Sequence, residues 1–185
     1  MVSNGFMPLD LASIDFRRLR ESDIPVLHEW IHRPHVLEWW GGEAGCATLE
    51  QTRSKYLSRL VDESHVRPHI AVLSGKPIGF IQSYVAVECG DGWWPDETDS
   101  GVWGIDQFLA DGTTLGRGIG TRMASAFVRR LFEDGRVTRV QTDPDPRNLR
   151  AIRCYEKAGF RALHEITTPA GRALLMAIDR PAGRQ

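Results

Sequence analysis

The spacing of hydrophobic residues changes along the chain and indicates strands that alternate with helices. Residues 14–19 alternate weakly between apolar and polar side chains, which is typical of a strand. Apolar residues then recur at helical spacing from Ile24 to Ile31. Ser22 predicts the cap of this helix, with Pro25 in its first turn.

The middle of the chain predicts one more helix and then three strands. Thr48 and Gln51 have the spacing of a capping box, which predicts a helix with one apolar face. Residues 69–73 and 78–87 flank a Ser-Gly-Lys-Pro turn and predict a β-hairpin, and residues 102–109 predict the next strand. The side chains that we expect this helix to bury are Tyr56, Leu57, Leu60 and Val61.

A glycine-rich turn separates these elements from a second set. Apolar residues form one helical stripe from Ile119 to Leu131, and residues 137–142 predict a strand. Asp145, which is followed by Pro146, predicts the cap of a further helix.

Two strands complete the predicted fold. Gly159 predicts the end of the last helix, and residues 160–168 and 172–178 predict strands on either side of a Pro-Ala-Gly turn. The full order is β-α-α-β-β-β-α-β-α-β-β. It predicts an α/β (α+β) fold, with a mixed sheet and helices on both of its faces.

Length and composition favour a single domain. The chain has 185 residues, and we expect residues 14–180 to form one domain, with 1–13 as an N-terminal extension and 181–185 as a C-terminal tail. No apolar run reaches the roughly 18 residues that cross a membrane. The first residues lack the basic start of a signal peptide, so a cytoplasmic protein is expected. The widely spaced cysteines, which favour a reducing compartment, are Cys46, Cys89 and Cys154.

Charge is distributed unevenly, although the formal net charge is only −1. The 40 residues between Lys76 and Arg117 hold seven acids and no Lys or Arg. From Arg117 to Arg161, eleven basic residues outnumber five acids. Both blocks can be solvated faces, but together they also predict a cation site beside a site for a phosphate-bearing cofactor. The small net charge gives no indication of nucleic acid or membrane as a partner.

The basic block opens with LGRGIGTRM, in which Gly116, Gly118 and Gly120 precede a predicted helix. Glycines let the backbone approach a ligand closely, and a helix N-terminus carries about half a positive charge. The turn is therefore a candidate phosphate site. Its spacing matches neither a P-loop nor a dinucleotide fingerprint, so a plain flexible turn is the alternative.

The later segment NLRAIRCYEKAGF is similar to the late helix of the GNAT superfamily of N-acetyltransferases. The resemblance implies a GNAT fold of about six or seven strands flanked by about four helices. It also implies acetyl-CoA as cosubstrate, with Tyr155 near the thioester sulfur. Leu115 departs from the superfamily, which usually has Arg or Gln at this position. The implied acetyl-CoA-binding residues are Leu115, Gly116, Arg117, Gly118, Ile119, Gly120, Thr121 and Asn148.

A closer resemblance extends from about residue 14 to residue 178. The segments EWWGG, PIGFIQSYVA, GDGWW, GIDQ and QTDPDPRNLRAIRCYEKAGF look like those of the aminoglycoside 6′-N-acetyltransferases. This resemblance implies acetylation of the 6′-amino group of these antibiotics, which inactivates them, with Asp106 as the catalytic base. The implied substrate-binding residues are Trp40, Asp91, Trp94, Asp106 and Asp143. The histidines have no ligand spacing, so no metal site is expected, and we expect a monomer or weak homodimer.

These residues also have structural alternatives. Asp91 and Asp143 are typical of turns, and the tryptophans and Tyr155 are typical of cores. Asp106 lies inside an apolar strand, where a carboxylate is costly unless it is paired or functional. Glu63 lies near the position of another pocket acid of the family. Two other functions stay open: acetylation of polyamines or protein N-termini, and a non-catalytic acyl-CoA sensor.

Overall fold

A seven-stranded sheet runs through the residues that the computed structural model describes, which are 13–40, 48–62, 64–90 and 92–182. The strands are β1 (Ile14–Arg18), β2 (Val66–Leu73), β3 (Lys76–Val85), β4 (Val102–Leu109), β5 (Arg139–Thr142), β6 (Arg161–Thr168) and β7 (Gly171–Asp179). Their order across the sheet is β1-β2-β3-β4-β5-β7-β6. Only the β4–β5 pair is parallel among these neighbours, so the predicted mixed sheet is confirmed. The predicted strand boundaries agree with the observed ones to within about three residues.

Helices cover both faces of the sheet, as predicted. They are α1 (Ile24–Ile31), α2 (Pro34–Leu37), α3 (Leu49–Leu57), α4 (Ile119–Leu131) and α5 (Leu149–Lys157). Helices α1 to α3 pack on the face that carries Phe80 and Phe108, whereas α4 and α5 pack on the face of Ile81 and Ile105. Neighbouring residues of a strand point to opposite faces, so each central strand contributes to both cores. Among the described residues, no helix combines the length and the apolar character that a bilayer crossing needs.

The starts of α3 and α1 show one confirmed and one wrong prediction. In α3, Thr48 Oγ1 accepts a hydrogen bond from Gln51 N–H (3.2 Å), and Gln51 Oε1 accepts from Thr48 N–H (2.8 Å). The predicted capping box is therefore confirmed. Ser22 is not the cap of α1, because it lies in a 3₁₀ turn and Asp23 occupies the cap position. Val61 was expected in the core but is 52% exposed, because α3 ends before it.

The start of α5 differs from the prediction. The helix begins at Leu149 because Asn148, and not Asp145, is its cap: Asn148 Oδ1 accepts from Ala151 N–H at 3.1 Å. Asp145 instead closes a turn by accepting from the backbone N–H of Arg147 at 2.8 Å and pairing with its guanidinium. Asp145 was the predicted cap of α5, but its carboxylate instead forms a local ion pair with Arg147.

The parallel strands β4 and β5 separate before β4 ends. Their last pair is Gly104 with Gln141, whereas β4 continues to Leu109 and β5 stops at Thr142. A gap therefore opens in the middle of the sheet, and a ligand can reach the backbone edge of β4 through it.

The pairing on the other side of β4 shows which backbone groups face this gap. Ala110 N–H donates to Ile78 O on the β3 side at 2.9 Å. Because bonding directions alternate along an antiparallel pair, the backbone groups of Leu109 and Gln107 point away from β3. His35 Nε2 hydrogen-bonds to Leu109 O at 2.9 Å from that side, which agrees with this direction.

Candidate active site

A cavity of about 380 Å³ opens beside the part of β4 that extends beyond its pairing with β5. Its walls come from the end of β4, the glycine-rich turn, the first turn of α4 and one side of α5. His35 and Trp40, from the N-terminal half of the chain, close another side. The fold therefore brings the candidate phosphate turn and the exposed edge of β4 to one place.

The glycine turn presents backbone to this cavity. Gly116 and Gly118 have φ angles of +74° and +77°, a conformation that favours glycine. A Cβ built on either residue would meet none of the described atoms within 4 Å, so the space beside the turn is open. Gly118 is the cap residue of α4 and, as a glycine, provides no side-chain hydrogen bond to the first turn. The N–H groups and the positive end of α4 therefore fit the pyrophosphate of acetyl-CoA.

The predicted cofactor-binding residues divide into two groups. Arg117 is exposed outside the cavity, and Ile119 packs beside Met123 in the core under the turn. Gly120 lets the two helices approach, since a Cβ there would lie 3.3 Å from Cys154 Sγ. The predicted residues that line the cavity are Leu115, Gly116, Gly118, Gly120, Thr121 and Asn148.

Three basic side chains on α5, which no sequence motif marks, also line the cavity. Arg150, Arg153 and Lys157 are exposed and are spaced three and four residues apart, so they lie along one side of the helix. They belong to the basic block of the sequence. Their positive charges lie beside the glycine turn, where they can make charge-assisted hydrogen bonds to phosphate oxygens.

Tyr155 belongs to the core and also borders the cavity. It is 5% exposed, and its ring meets Phe160 edge-on with the centroids 5.3 Å apart. Burial raises the pKa of Tyr155 far above its ordinary value, and a hydrogen bond with the Thr142 side chain offsets part of that rise. The hydroxyl therefore stays protonated at neutral pH and is able to donate.

Both carboxylate oxygens of Asp106 are hydrogen-bonded by residues of β3. Gln82 Nε2 donates to Oδ2 (2.8 Å), and the Tyr84 hydroxyl donates to Oδ1 (3.2 Å). Gln82 is the direct cross-strand partner of Asp106, and Tyr84 follows on the same face. Burial raises the pKa of Asp106, whereas the two hydrogen bonds and the charge of Arg59 act in the opposite direction.

A second carboxylate, Asp143, directly follows β5 and lies within electrostatic reach of Asp106. Burial and then the negative charge of Asp106 raise the pKa of Asp143 to about 7. The indole N–H of Trp94 opposes part of this rise, although it makes no hydrogen bond of ordinary geometry with any described atom. Two partly buried carboxylates that disfavour each other's charge can form a site for a cation, because a bound ammonium group would supply the missing positive charge.

The wall of this acidic site depends on a glycine. The rings of Tyr84 and Trp94 lie 5.6 Å apart over Gly104. A Cβ at Gly104 would approach Tyr84 Cε2 to 2.1 Å and Trp94 Cη2 to 2.6 Å, so another residue would displace both rings. Trp94 is 7% exposed and has a φ of +51°, which places its ring inside the wall at some cost in backbone strain.

The remaining predicted substrate residues are separate from this pair. Trp40 is half-buried, lines the cavity, and meets the ring of Phe108 edge-on at 4.7 Å. Asp91 and Glu63 lie outside the described residues.

Three residues around Asp106 were also not predicted from the sequence. Gln82 and Tyr84 are polar residues two positions apart in an apolar strand. Because side chains alternate between the two faces of a strand, their spacing predicts that they lie on the same face. Arg59, whose Nη1 donates to Gln82 Oε1 at 2.9 Å, gave no comparable signal. Its contact depends on how the chain after α3 crosses the sheet.

The parting of two parallel strands, with a glycine turn and a helix N-terminus at the opening, defines an N-acetyltransferase of the GNAT class. The family described as acetyltransferase (GNAT) domain matches residues 20–168. The aminoglycoside N(6′)-acetyltransferase type 1 of Klebsiella pneumoniae is 51% identical over 170 residues, which cover 92% of this chain and 85% of the relative. The chain belongs to the aminoglycoside N(6′)-acetyltransferase family.

Solved structures agree with this assignment. The structure of AAC(6′)-Ib in complex with ribostamycin and coenzyme A has a TM-score of 0.88 and 51% identity, and covers 91% of this chain and 94% of that one. The structure of AAC(6′)-Ib with coenzyme A and kanamycin has a TM-score of 0.85 and 49% identity, with coverage of 91% and 95%. The predicted family and fold class are confirmed.

Proposed function

We propose that this protein transfers the acetyl group of acetyl-CoA to the 6′-amino group of aminoglycosides and thereby inactivates them. The observation that supports the proposal is a phosphate-type turn and a partly buried pair of carboxylates on the two sides of the gap between β4 and β5. Membership of the family supports the same reaction. The proposal extends to the roles of individual residues.

Acetyl-CoA supplies an acetyl thioester, which is the activated acyl group of the reaction. The backbone of Gly116 and Gly118 holds the pyrophosphate, with Arg150 and Arg153 beside it. Asn148 uses its carbonyl oxygen to cap α5, which leaves its amide group for the pantetheine arm. These contacts fix the thioester end of the cosubstrate near the edge of β4.

Asp106 and Asp143 bind the amino group and its neighbours on the sugar. An ammonium group between them is hydrogen-bonded and neutralises charge that burial disfavours. Proton transfer from an ordinary ammonium group to an ordinary Asp is uphill by about 9 kcal/mol. The raised pKa of Asp106 makes its carboxylate a better proton acceptor and so lowers this cost. Asp106 takes the proton directly or through a water molecule, and the free amine then attacks the thioester carbonyl.

The edge of β4 and Tyr155 stabilise the charges that form next. The N–H groups of Gln107 and Leu109 face the gap and can donate to the developing oxyanion. The buried, protonated Tyr155 then donates a hydrogen bond to the departing thiolate, which leaves as the C–S bond breaks.

The direct test is to incubate the protein with acetyl-CoA and kanamycin, to measure the mass of the drug, and to locate the new acetyl group by NMR. We expect the gain of one acetyl group at the 6′-amine, and an Asp106→Asn variant serves as the matched control. Spermidine and a short peptide with a free N-terminus test the alternative acetyltransferases. Acetyl-CoA binding without acetylation of any amine would instead favour an acyl-CoA sensor.

Cytoplasmic location and a monomer or weak homodimer belong to the proposal as well. Cys89 and Cys154 are free thiols, which agrees with a reducing compartment. Fractionation of producing cells tests the location, and sedimentation over a range of concentrations tests the assembly state.

A further inference from the structure

A row of hydrogen bonds connects Arg59 to the carboxylate of Asp106. Arg59 Nη1 donates to Gln82 Oε1 (2.9 Å), and Gln82 Nε2 donates to Asp106 Oδ2 (2.8 Å). Gln82 is 8% exposed, so its amide is shielded from bulk water. The row is held at both ends, because Gln82 pairs with Asp106 across β3 and β4 while the guanidinium of Arg59 lies 5.4 Å from the centre of the Tyr56 ring.

Arg59 determines which end of the Gln82 amide faces Asp106. A guanidinium can only donate, so it meets the carbonyl oxygen of Gln82, and the NH₂ group then points at the carboxylate. If the amide were reversed, its oxygen would face a carboxylate oxygen. That arrangement is favourable only when Asp106 is protonated, since a proton must then lie between the two oxygens. The observed orientation therefore favours the ionised form.

Arg59 also acts on Asp106 through its charge. The pKa of Asp106 is raised by burial and lowered by the bonds from Gln82 and Tyr84, then by the charge of Arg59 and finally by that of Lys55. Among the described groups, Arg59 alone combines a positive charge with a hydrogen bond to a residue that holds the carboxylate. The charged and titratable groups that interact with Asp106 are Lys55, Tyr56, Arg59, Tyr84, Cys89, Asp143 and Tyr155.

We infer that Arg59 is a positioning residue for acetyl transfer, which acts through Gln82 to orient the Asp106 carboxylate and to keep it ionised. The inference rests on the proposed function, because it gives Asp106 the task of holding the ammonium group. It implies that a residue two hydrogen bonds away from the catalytic carboxylate sets the acid limit of the reaction.

The test compares the pH dependence of kcat/KM for wild type, Arg59→Met, Arg59→Lys and Lys55→Met. Arg59→Met should move the acidic limb of the kcat/KM profile upward by about one pH unit. At a given pH on that limb, kcat/KM should therefore fall by about tenfold, whereas at high pH it should change little. Arg59→Lys should restore most of the shift, because an ammonium group can also donate to Gln82 Oε1. Lys55→Met removes an equal charge without breaking the row and should move the limb clearly less.

A second measurement does not depend on the reaction. The Asp106 carboxyl carbon is titrated by ¹³C NMR in the protein without substrate. The titration midpoints of the four proteins should rank in the same order as their acidic limbs. If wild type acetylates no aminoglycoside, the proposed function fails, but this titration still decides the link between Arg59 and Asp106.

Two results would overturn the inference. One is an unchanged limb and an unchanged titration midpoint in Arg59→Met. The other is an equal shift of the limb and the midpoint in Lys55→Met, which would mean that Arg59 acts only through its charge and not through Gln82. If Arg59→Met does not fold, Gln82→Met is used in its place, because it breaks the row at its centre. If the acidic limb and the Asp106 titration midpoint do not move upward in Gln82→Met, the inference is overturned.

Discussion

In the proposed function, the two sides of the gap between β4 and β5 hold opposite charges by different means. On the cofactor side, Gly116 and Gly118 present backbone N–H groups in left-handed conformations, beside exposed basic side chains of α5. On the acceptor side, Asp106 and Asp143 carry charge on side chains whose pKa values are raised by burial. The first side depends on backbone geometry, and the second depends on desolvation. A substitution should therefore damage each side by a different physical route.

The largest effect is expected from Asp106→Asn. This change removes a negative charge but keeps the shape of the side chain, so the fold and acetyl-CoA binding should be retained. We expect kcat to fall by about 10²- to 10⁴-fold, the usual range for loss of a general base. Raising the pH should recover part of the rate, because more of the amine is then unprotonated. A full kcat in this variant would reduce Asp106 to a substrate anchor.

The cofactor side should be most sensitive at Gly118. Gly118→Asp places a negative charge at the proposed phosphate site, and we expect the Kd for acetyl-CoA to rise by about 10- to 100-fold in calorimetry. Gly118→Ala is the matched control, because its Cβ would enter open space and only the positive φ would strain it. Kanamycin binding should change less in both variants. Equal losses of acetyl-CoA affinity in Asp and Ala would show that conformation matters here and charge does not.

Burial of Asp143 on the acceptor side should make the free energy of unfolding depend on pH. The folded pKa of Asp143 is about 7, above its unfolded value, so the native state binds more protons in the window between the two. The free energy of unfolding therefore falls as the pH rises through this window. Asp143→Asn removes the effect and should raise the free energy of unfolding at pH 8 by roughly 1 to 3 kcal/mol, with no gain near pH 4. Urea unfolding without ligand at the two pH values measures this.

Asp145→Asn provides the control for that experiment. The hydrogen bonds from Arg147 lower the pKa of Asp145, which is the opposite direction. Loss of this carboxylate should leave stability within about 0.5 kcal/mol of wild type or slightly below it, because the pair is largely exposed. A gain at pH 8 in both variants would point to general relief of negative charge and not to burial at Asp143.

The smallest effect is expected from Tyr155→Phe. The change keeps the ring in the core, so stability should vary little. A thiolate leaves reasonably well without a proton, so the loss in kcat should be about tenfold, near or below the low end of acid catalysis. Steady-state kinetics at saturating acetyl-CoA measure it. A loss as large as that of Asp106→Asn would assign Tyr155 a further role.

Features with a strong local pattern were predictable from the sequence. The bounds of β4 and α4 followed from apolar spacing, and the glycine turn and Asp106 followed from residue type within those elements. What the turn would face could not be derived from spacing, since the cavity depends on where β5 stops. The family resemblance supplied that step.

The errors arose where two local signals competed or where the contact was distant in sequence. Asp145 and Asn148 are both good helix caps, and the pairing of Asp145 with Arg147 decided between them. Gln82 could be assigned to a face of its strand, but its position opposite Asp106 depends on the register of β3 against β4. Register and ion pairing are properties of the folded chain, so no window of sequence contains them.

Because β4 loses its parallel partner after Gly104, one strand at the centre of the sheet has two unequal halves. Amide hydrogen exchange should distinguish them. The N–H groups of β4 up to Gly104 should exchange only on global unfolding, as expected for a central strand, whereas those of Gln107 and Leu109 should exchange through the open gap. Occupation of the gap by acetyl-CoA should then slow exchange at these two positions, which makes the strand a built-in reporter of cofactor binding.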